Sequence, residues 1–129
     1  MESNRRESSV FISSLGSDGI FRTLVKPFSE VTVEHAMENT RFLHELKNKD
    51  KVPILVDLRK IKSISKEARA HFSMNGRAGA GNAIALIIKS PVSKIIGNFY
   101  ISLEKPPVPV RLFTNEKEAV KWLLPFVTP

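Results

Sequence analysis

Pro53-Ile54-Leu55-Val56-Asp57-Leu58 is a nearly continuous apolar run, broken only by Asp57. A strand with one wet face alternates apolar and polar residues. A run without that alternation marks a strand buried on both faces, as in the middle of a parallel sheet. Ala83–Ile88 (AIALII) reads the same way. Between the two, Ser65 is placed to cap a helix from Lys66 to about Met74, with Ala68, His71 and Phe72 on one side. Residues 75–82 (NGRAGAGN) then read as a glycine-rich loop. A strand, a helix and a second strand joined this way form a right-handed crossover between parallel neighbours.

The reading extends outward in both directions. Ser9–Ser13 (SVFIS) alternates around Val10 and Ile12 and predicts a short strand. Gly16-Ser17-Asp18-Gly19 is a turn cluster, and Ile20–Val25 follows as the second strand of a hairpin that Pro27 ends. Thr32 can cap a helix running to about Lys47, with Val33, Ala36, Met37, Thr40, Leu43 and Leu46 on its apolar side. Beyond the second buried strand, Ser90-Pro91 predicts a helix start, since proline at the first helical position loses no needed donor. Val92, Ile95, Ile96, Phe99 and Leu103 form its stripe, with Gly97 within it. Pro106, Pro107 and Pro109 make a stiff connector to a strand at Val108–Phe113. Thr114 is read as the cap of a last helix, Asn115 to about Pro125, with Ala119, Val120, Leu123 and Leu124 facing inward and Trp122 nearby. The order is β-β-α-β-α-β-α-β-α. It predicts an α/β fold, residues 1–129 as one domain, with a mostly parallel central sheet and an antiparallel N-terminal hairpin.

Composition narrows the function. The chain has 129 residues and no cysteine, so disulfides, thiol catalysis and thiolate metal sites are excluded. No window of about 18 apolar residues is present, so no spanning helix is expected. The start, MESNRRESSVFISS, lacks the apolar core of a secretory signal. A cytoplasmic location is expected. The formal net charge is +7, distributed as −2 over residues 1–40, +6 over 41–77 and +3 over 78–129. Its densest part is Arg59, Lys60, Lys62, Lys66 and Arg69. Such a run serves either as a solvated face or as a docking surface for an anion or an acidic partner.

The run Ile54-Leu55-Val56-Asp57-Leu58-Arg59, then Ile61, then a helix capped at Ser65, resembles the anti-sigma-factor-antagonist domains (the STAS, or SpoIIAA-like, fold). The C-terminal stretch Pro107–Leu124 resembles the ending of small bacterial domains of that group, so the likeness covers nearly the whole chain. In phosphorylated antagonists an Asp-Ser pair opens the helix after this strand, and the Ser is the kinase target. Here Ser65 stands at the Asp and Lys66 at the Ser, with Ser63 and Ser65 displaced from the modified position. The resemblance implies a non-enzymatic regulatory module that binds a protein partner. Related Sec14-like folds imply, as the alternative, a small-ligand or lipid-binding protein.

Other chemistry finds little support in the spacing. Gly76, Gly79 and Gly81 give G-x-x-G-x-G ahead of a strand with no following Lys-Ser/Thr, which is a turn and not a phosphate loop. His35 and His44 fall on opposite sides of one helix and His71 on another, so no metal site and no cofactor are expected. Asp57 ends a buried strand where α/β enzymes place catalytic carboxylates. With no partner base or nucleophile nearby, it reads as a cap for the following loop. Nucleic-acid binding is disfavoured by one Trp, one Tyr and no reading motif. Self-association as a homodimer is compatible with a hairpin at the sheet edge and eight Phe.

The remaining site is positional. Ligands of open α/β sheets meet the carboxyl ends of the parallel strands. That end should gather Asp57, Arg59, Lys60, Lys62, Ser63, Ser65, Lys66 and Ser90, with three helix N-termini beside them. It is the expected binding site for a partner or an anionic group.

Overall fold

The computed structural model describes residues 4–78, 81–101 and 108–128. Leu103, Pro106 and Pro107 lie outside them, as does Gly79 of the glycine-rich stretch. The strands are β1 (Arg5–Glu7), β2 (Phe11–Leu15), β3 (Phe21–Val25), β4 (Glu30–Val31), β5 (Val52–Asp57), β6 (Ser63–Ile64), β7 (Gly81–Ile87) and β8 (Val110–Phe113). The helices are α1 (Val33–Leu46), α2 (Lys66–Ala78), α3 (Pro91–Ile101) and α4 (Glu116–Leu123), followed by a 3-10 turn at Leu124–Phe126.

Six strands form the main sheet in the order β1-β2-β3-β5-β7-β8. β1, β2 and β3 are antiparallel neighbours. From β3 onward every pairing is parallel. The two apolar runs that decide the fold lie side by side, with Ile54 opposite Ile84 and Asp57 opposite Ile87. The arrangement is the α/β fold expected from sequence, with additions. β1 was not anticipated because Arg-Arg-Glu has no apolar rhythm; it is a short charged edge strand, the kind that discourages further pairing. It also moves the first anticipated strand. Ser8 Oγ accepts the N–H groups of Val10 and Phe11, at 3.2 and 3.0 Å, so Ser8 and Ser9 turn the chain and β2 begins at Phe11 instead of Ser9. β4 and β6 form a separate two-stranded parallel sheet, Glu30 opposite Ser63 and Val31 opposite Ile64.

The helices divide unequally. Ala36 of α1, Ala68 of α2 and Ile96 of α3 pack with Val10, Val25 and Leu86. Ala119 and Leu123 of α4 pack on the other face against Leu55, Ala83, Ala85 and Ile87. The alanines of β7 keep that face shallow enough for a helix to lie close. At the far end from the helix starts, Gly19 takes φ +89° with the Val127 side chain 2.7 Å from where a Cβ would stand, so only glycine fits the turn. Arg22 forks onto Asp18 at 2.8 and 2.9 Å and holds that carboxyl below its usual range.

Several helix details differ from expectation. α1 buries Ala36, Asn39, Leu43 and Leu46 and leaves Met37 exposed, so a polar residue takes a core position that periodicity assigned to its neighbours. α2 extends to Ala78, beyond Met74, and β7 starts at Gly81, so most of residues 75–82 belong to regular elements and not to the expected loop. α3 docks through Ser93, Ile96 and Gly97, while Ile95 is 70% exposed. At Gly97 the missing Cβ would lie 2.9 Å from Leu112 and 3.1 Å from Ile88, so this side of the helix approaches closely and the anticipated stripe turns partly to solvent. The cap of α4 is Asn115, not Thr114: Asn115 Oδ1 accepts the Glu118 N–H at 2.9 Å.

α1 and α2 meet through Thr40 and His71. Thr40 Oγ1 donates to the Ala36 carbonyl at 3.1 Å, so its oxygen accepts from His71 Nε2 at 3.0 Å. Burial pushes the His71 imidazole below its ordinary value of 6.5. A depressed histidine favours the folded state fully above the unfolded value, and that contribution is lost as pH falls through the folded value. Chemical denaturation between about pH 7.5 and about pH 5.5 should therefore show a larger loss of stability in the wild type than in His71→Gln. Equal losses would exclude His71 as the source.

Candidate functional site

Each parallel strand β3, β5, β7 and β8 is followed by a helix that runs back along the sheet. All four helix N-termini therefore lie at its carboxyl end, one more than the sequence suggested. Thr32, Ser65, Ser90 and Asn115 each accept a backbone N–H from the first turn of their helix. The added one is α1, whose cap also receives help from the side chain at its third position: Thr32 N–H donates to His35 Nδ1 at 3.1 Å.

The connection from β5 to α2 forms the centre of this rim. In Leu58-Arg59-Lys60-Ile61-Lys62, Leu58 and Ile61 are buried in the core, and the cations between and after them turn outward. Backbone bonds fix the loop against its neighbours. Leu58 N–H donates to the Ile87 carbonyl at 2.9 Å, and Lys62 N–H to the Ser29 carbonyl at 2.9 Å. Ser65 N–H donates to the Val31 carbonyl at 2.9 Å, so the β4–β6 sheet clamps the loop to the start of α1.

Asp57 is buried, and its carboxylate is fully employed. Oδ1 accepts the Arg59 backbone N–H at 3.1 Å, and Arg59 Nη2 reaches Oδ2 at 2.7 Å. The Asp57 carboxylate holds the Arg59 guanidinium above its already high ordinary value. Asp57 thus closes the loop after β5 from within, the cap that its place in the sequence suggested. Lys60, Lys62 and Lys66 are exposed on the same connection, and exposed Lys89 follows β7. Lys62 lies 3.7 Å from Glu30, an exposed pair that stabilises little. Ser63 sits in β6, Ser65 is committed to capping α2 with Ala68 N–H at 3.0 Å, and Ser90 caps α3 from the neighbouring strand's end. The eight residues named from sequence therefore come together at one end of the sheet.

Sequence reading missed one component of the rim. Phe28, in the loop between β3 and β4, is 80% exposed and has φ +61°. A bulky side chain in this left-handed region costs about 1–2 kcal/mol. Composition carries no signal for it, because nothing in Lys-Pro-Phe-Ser announces the backbone angle.

Residues 14–127 match the family model of a domain of unknown function, DUF7793. The chain belongs to the DUF7793 family. A solved structure similar to this DUF7793 domain is an uncharacterized protein of the DUF3478 family with a SpoIIAA-like fold from Shewanella loihica. It shares 16% identity over 92% of this chain and 98% of its own, with a TM-score of 0.59. That likeness shows the fold: the domain is SpoIIAA-like. A protein of unknown function from Arthrobacter is 29% identical over 86% of this chain and 96% of its own, at a TM-score of 0.33 that does not bear on architecture. No curated protein sequence matches the chain.

Two further features of the DUF7793 domain frame the rim. A 190 Å³ cavity lies at the opposite end of the sheet, between the Gly19 turn, Lys49, Lys51 and Val127. Among the described residues no three His, Asp or Glu side chains converge as metal ligands, and no helix is long and apolar enough to cross a membrane.

Proposed function

We propose that this domain is a non-enzymatic regulatory module that docks an acidic protein partner at the carboxyl end of its sheet. The observation that carries the reading is the charge balance of the β5–α2 connection. Its one carboxylate, Asp57, is buried and paired within the loop, whereas Lys60, Lys62 and Lys66 face solvent. Among the described residues Lys60 and Lys66 have no ion-pair partner. Four capped helix starts add partial positive charge along the same rim. The low-dielectric body behind these cations directs their field outward and favours encounter with an anionic surface.

The arrangement also favours binding over chemistry. Ser65 and Ser90 are spent on caps, the one buried carboxylate is spent on Arg59, and the loop is held by backbone bonds with little freedom to close over a substrate. A lysine, Lys66, occupies the position that resembles the phosphorylated one in antagonists, so the charge offered to a partner is fixed and positive.

Affinity capture from cells that make this protein natively tests the reading. Lys60→Glu with Lys62→Glu should reduce recovery of the partner at least about tenfold. Wild-type recovery should weaken as salt rises and screens the exposed charges. Undiminished recovery by the doubly reversed variant would refute the docking rim.

A further inference from the structure

Phe28 runs against local preference in both backbone and side chain. Among the described residues it is the one non-glycine with positive φ, +61°. Glycine would hold the same turn without the clash. The ring takes no burial in exchange, since it is 80% exposed. The turn is nevertheless held firmly. Phe28 N–H donates to the Lys60 carbonyl at 2.8 Å, Ser29 N–H to the Lys26 carbonyl at 3.3 Å, and the Ser29 carbonyl accepts Lys62 N–H at 2.9 Å. Two of these three bonds join the Phe28–Ser29 backbone to the backbones of the exposed cations Lys60 and Lys62.

Resting on the docking reading above, we infer that Phe28 is the aromatic anchor of that interface. Its ring enters an apolar pocket on an acidic protein, and Lys60 and Lys62 meet carboxylates at the pocket's edge. Aromatic residues centre binding hot spots, ringed by contacts that exclude water. A turn whose backbone is already held in one geometry loses no backbone freedom on docking, so strain kept in the free protein serves recognition. One other occupant fits less well. A second copy would bring like charge to a chain of net charge +7.

The test places a photoreactive group at the ring, Phe28→p-benzoylphenylalanine, in cells that make the protein natively. Leu124→p-benzoylphenylalanine, exposed at the other end of α4, serves as control. Adducts at position 28 should concentrate on one protein, at apolar residues bordered by Asp or Glu, and should vanish when Lys60→Glu and Lys62→Glu are added. In parallel, Phe28→Gly should unfold at or above the wild-type temperature while capturing at least about tenfold less partner. Adducts that scatter as at the control, or that fall on lipid or on a second copy, overturn the inference. So does Phe28→Gly unfolding below the wild type, which would make the ring a structural residue. If Phe28→Gly keeps the partner and the charge reversal loses it, the anchor fails and the docking rim survives. If neither variant loses the partner, both fail.

Discussion

Truncating Leu123 to alanine should remove about 2–5 kcal/mol from the free energy of unfolding. The same truncation at its neighbour Leu124 should change it by no more than about 0.5 kcal/mol. The two leucines are adjacent and chemically identical. They differ in where the end of α4 turns them: Leu123 is 0% exposed and Leu124 46%. Leu123 packs with Leu55, Ala83, Ala85 and Ile87. Those partners sit on central strands whose backbones are paired on both sides, so they cannot move in to fill the cavity. Urea titration should show the Leu123→Ala midpoint displaced with its slope unchanged. Equal costs for the two leucines would contradict the packing of α4. The rim should also respond. Asn115 caps α4 there, so a loosened α4 releases one corner of the site.

Asn39→Leu should cost about 1–3 kcal/mol, whereas the triple variant Ser13→Ala, Thr23→Val, Asn39→Leu should recover most of that loss. The three side chains are buried and form a closed ring. Ser13 Oγ donates to Asn39 Oδ1. Asn39 Nδ2 donates to Thr23 Oγ1 at 3.1 Å, and Thr23 Oγ1 lies 3.0 Å from Ser13 Oγ, to which its hydrogen is directed. Removing the amide alone strands one donor and one acceptor away from water. Removing all three polar groups strands none. The ring joins α1 to β2 and β3 and thereby sets the helix against the hairpin. Stabilities measured by urea unfolding for the single and triple variants decide the matter. A triple variant less stable than the single one would mean that the ring contributes more than satisfied hydrogen bonding.

Much of this architecture was legible in the chain because its decisive signals are local. The continuous apolar runs at Ile54 and Ala83 required two-sided burial, and that requirement made them parallel neighbours. Thr32, Ser65 and Ser90 announced helix starts because a short side-chain oxygen before an apolar-periodic segment has one common use. Parallel strands joined by helices put those starts at the same end of the sheet, so the clustering of Asp57, Arg59, Lys60, Lys62, Ser63, Ser65, Lys66 and Ser90 followed from connectivity. The misses share a different cause. Arg5–Glu7 is a strand only because β2 offers it an edge. Asn39 is buried because Ser13 and Thr23 satisfy it, residues distant in the chain. Ile95 is exposed because Gly97 admits Leu112 and Ile88 on another side of the helix.

From residue types alone came the alternation of strands and helices, the parallel centre, the position of the basic connection and the absence of thiol chemistry. Each depends on hydrophobic periodicity, capping or composition, which act over a few residues. Tertiary structure decided which helix face is buried, how Asp57 takes up Arg59, and that Phe28 stands exposed in a left-handed turn. Those outcomes depend on contacts between segments far apart in the chain: the Lys60 carbonyl that receives Phe28 N–H lies 32 residues further along it. A backbone angle imposed by such a partner leaves no trace in the local sequence.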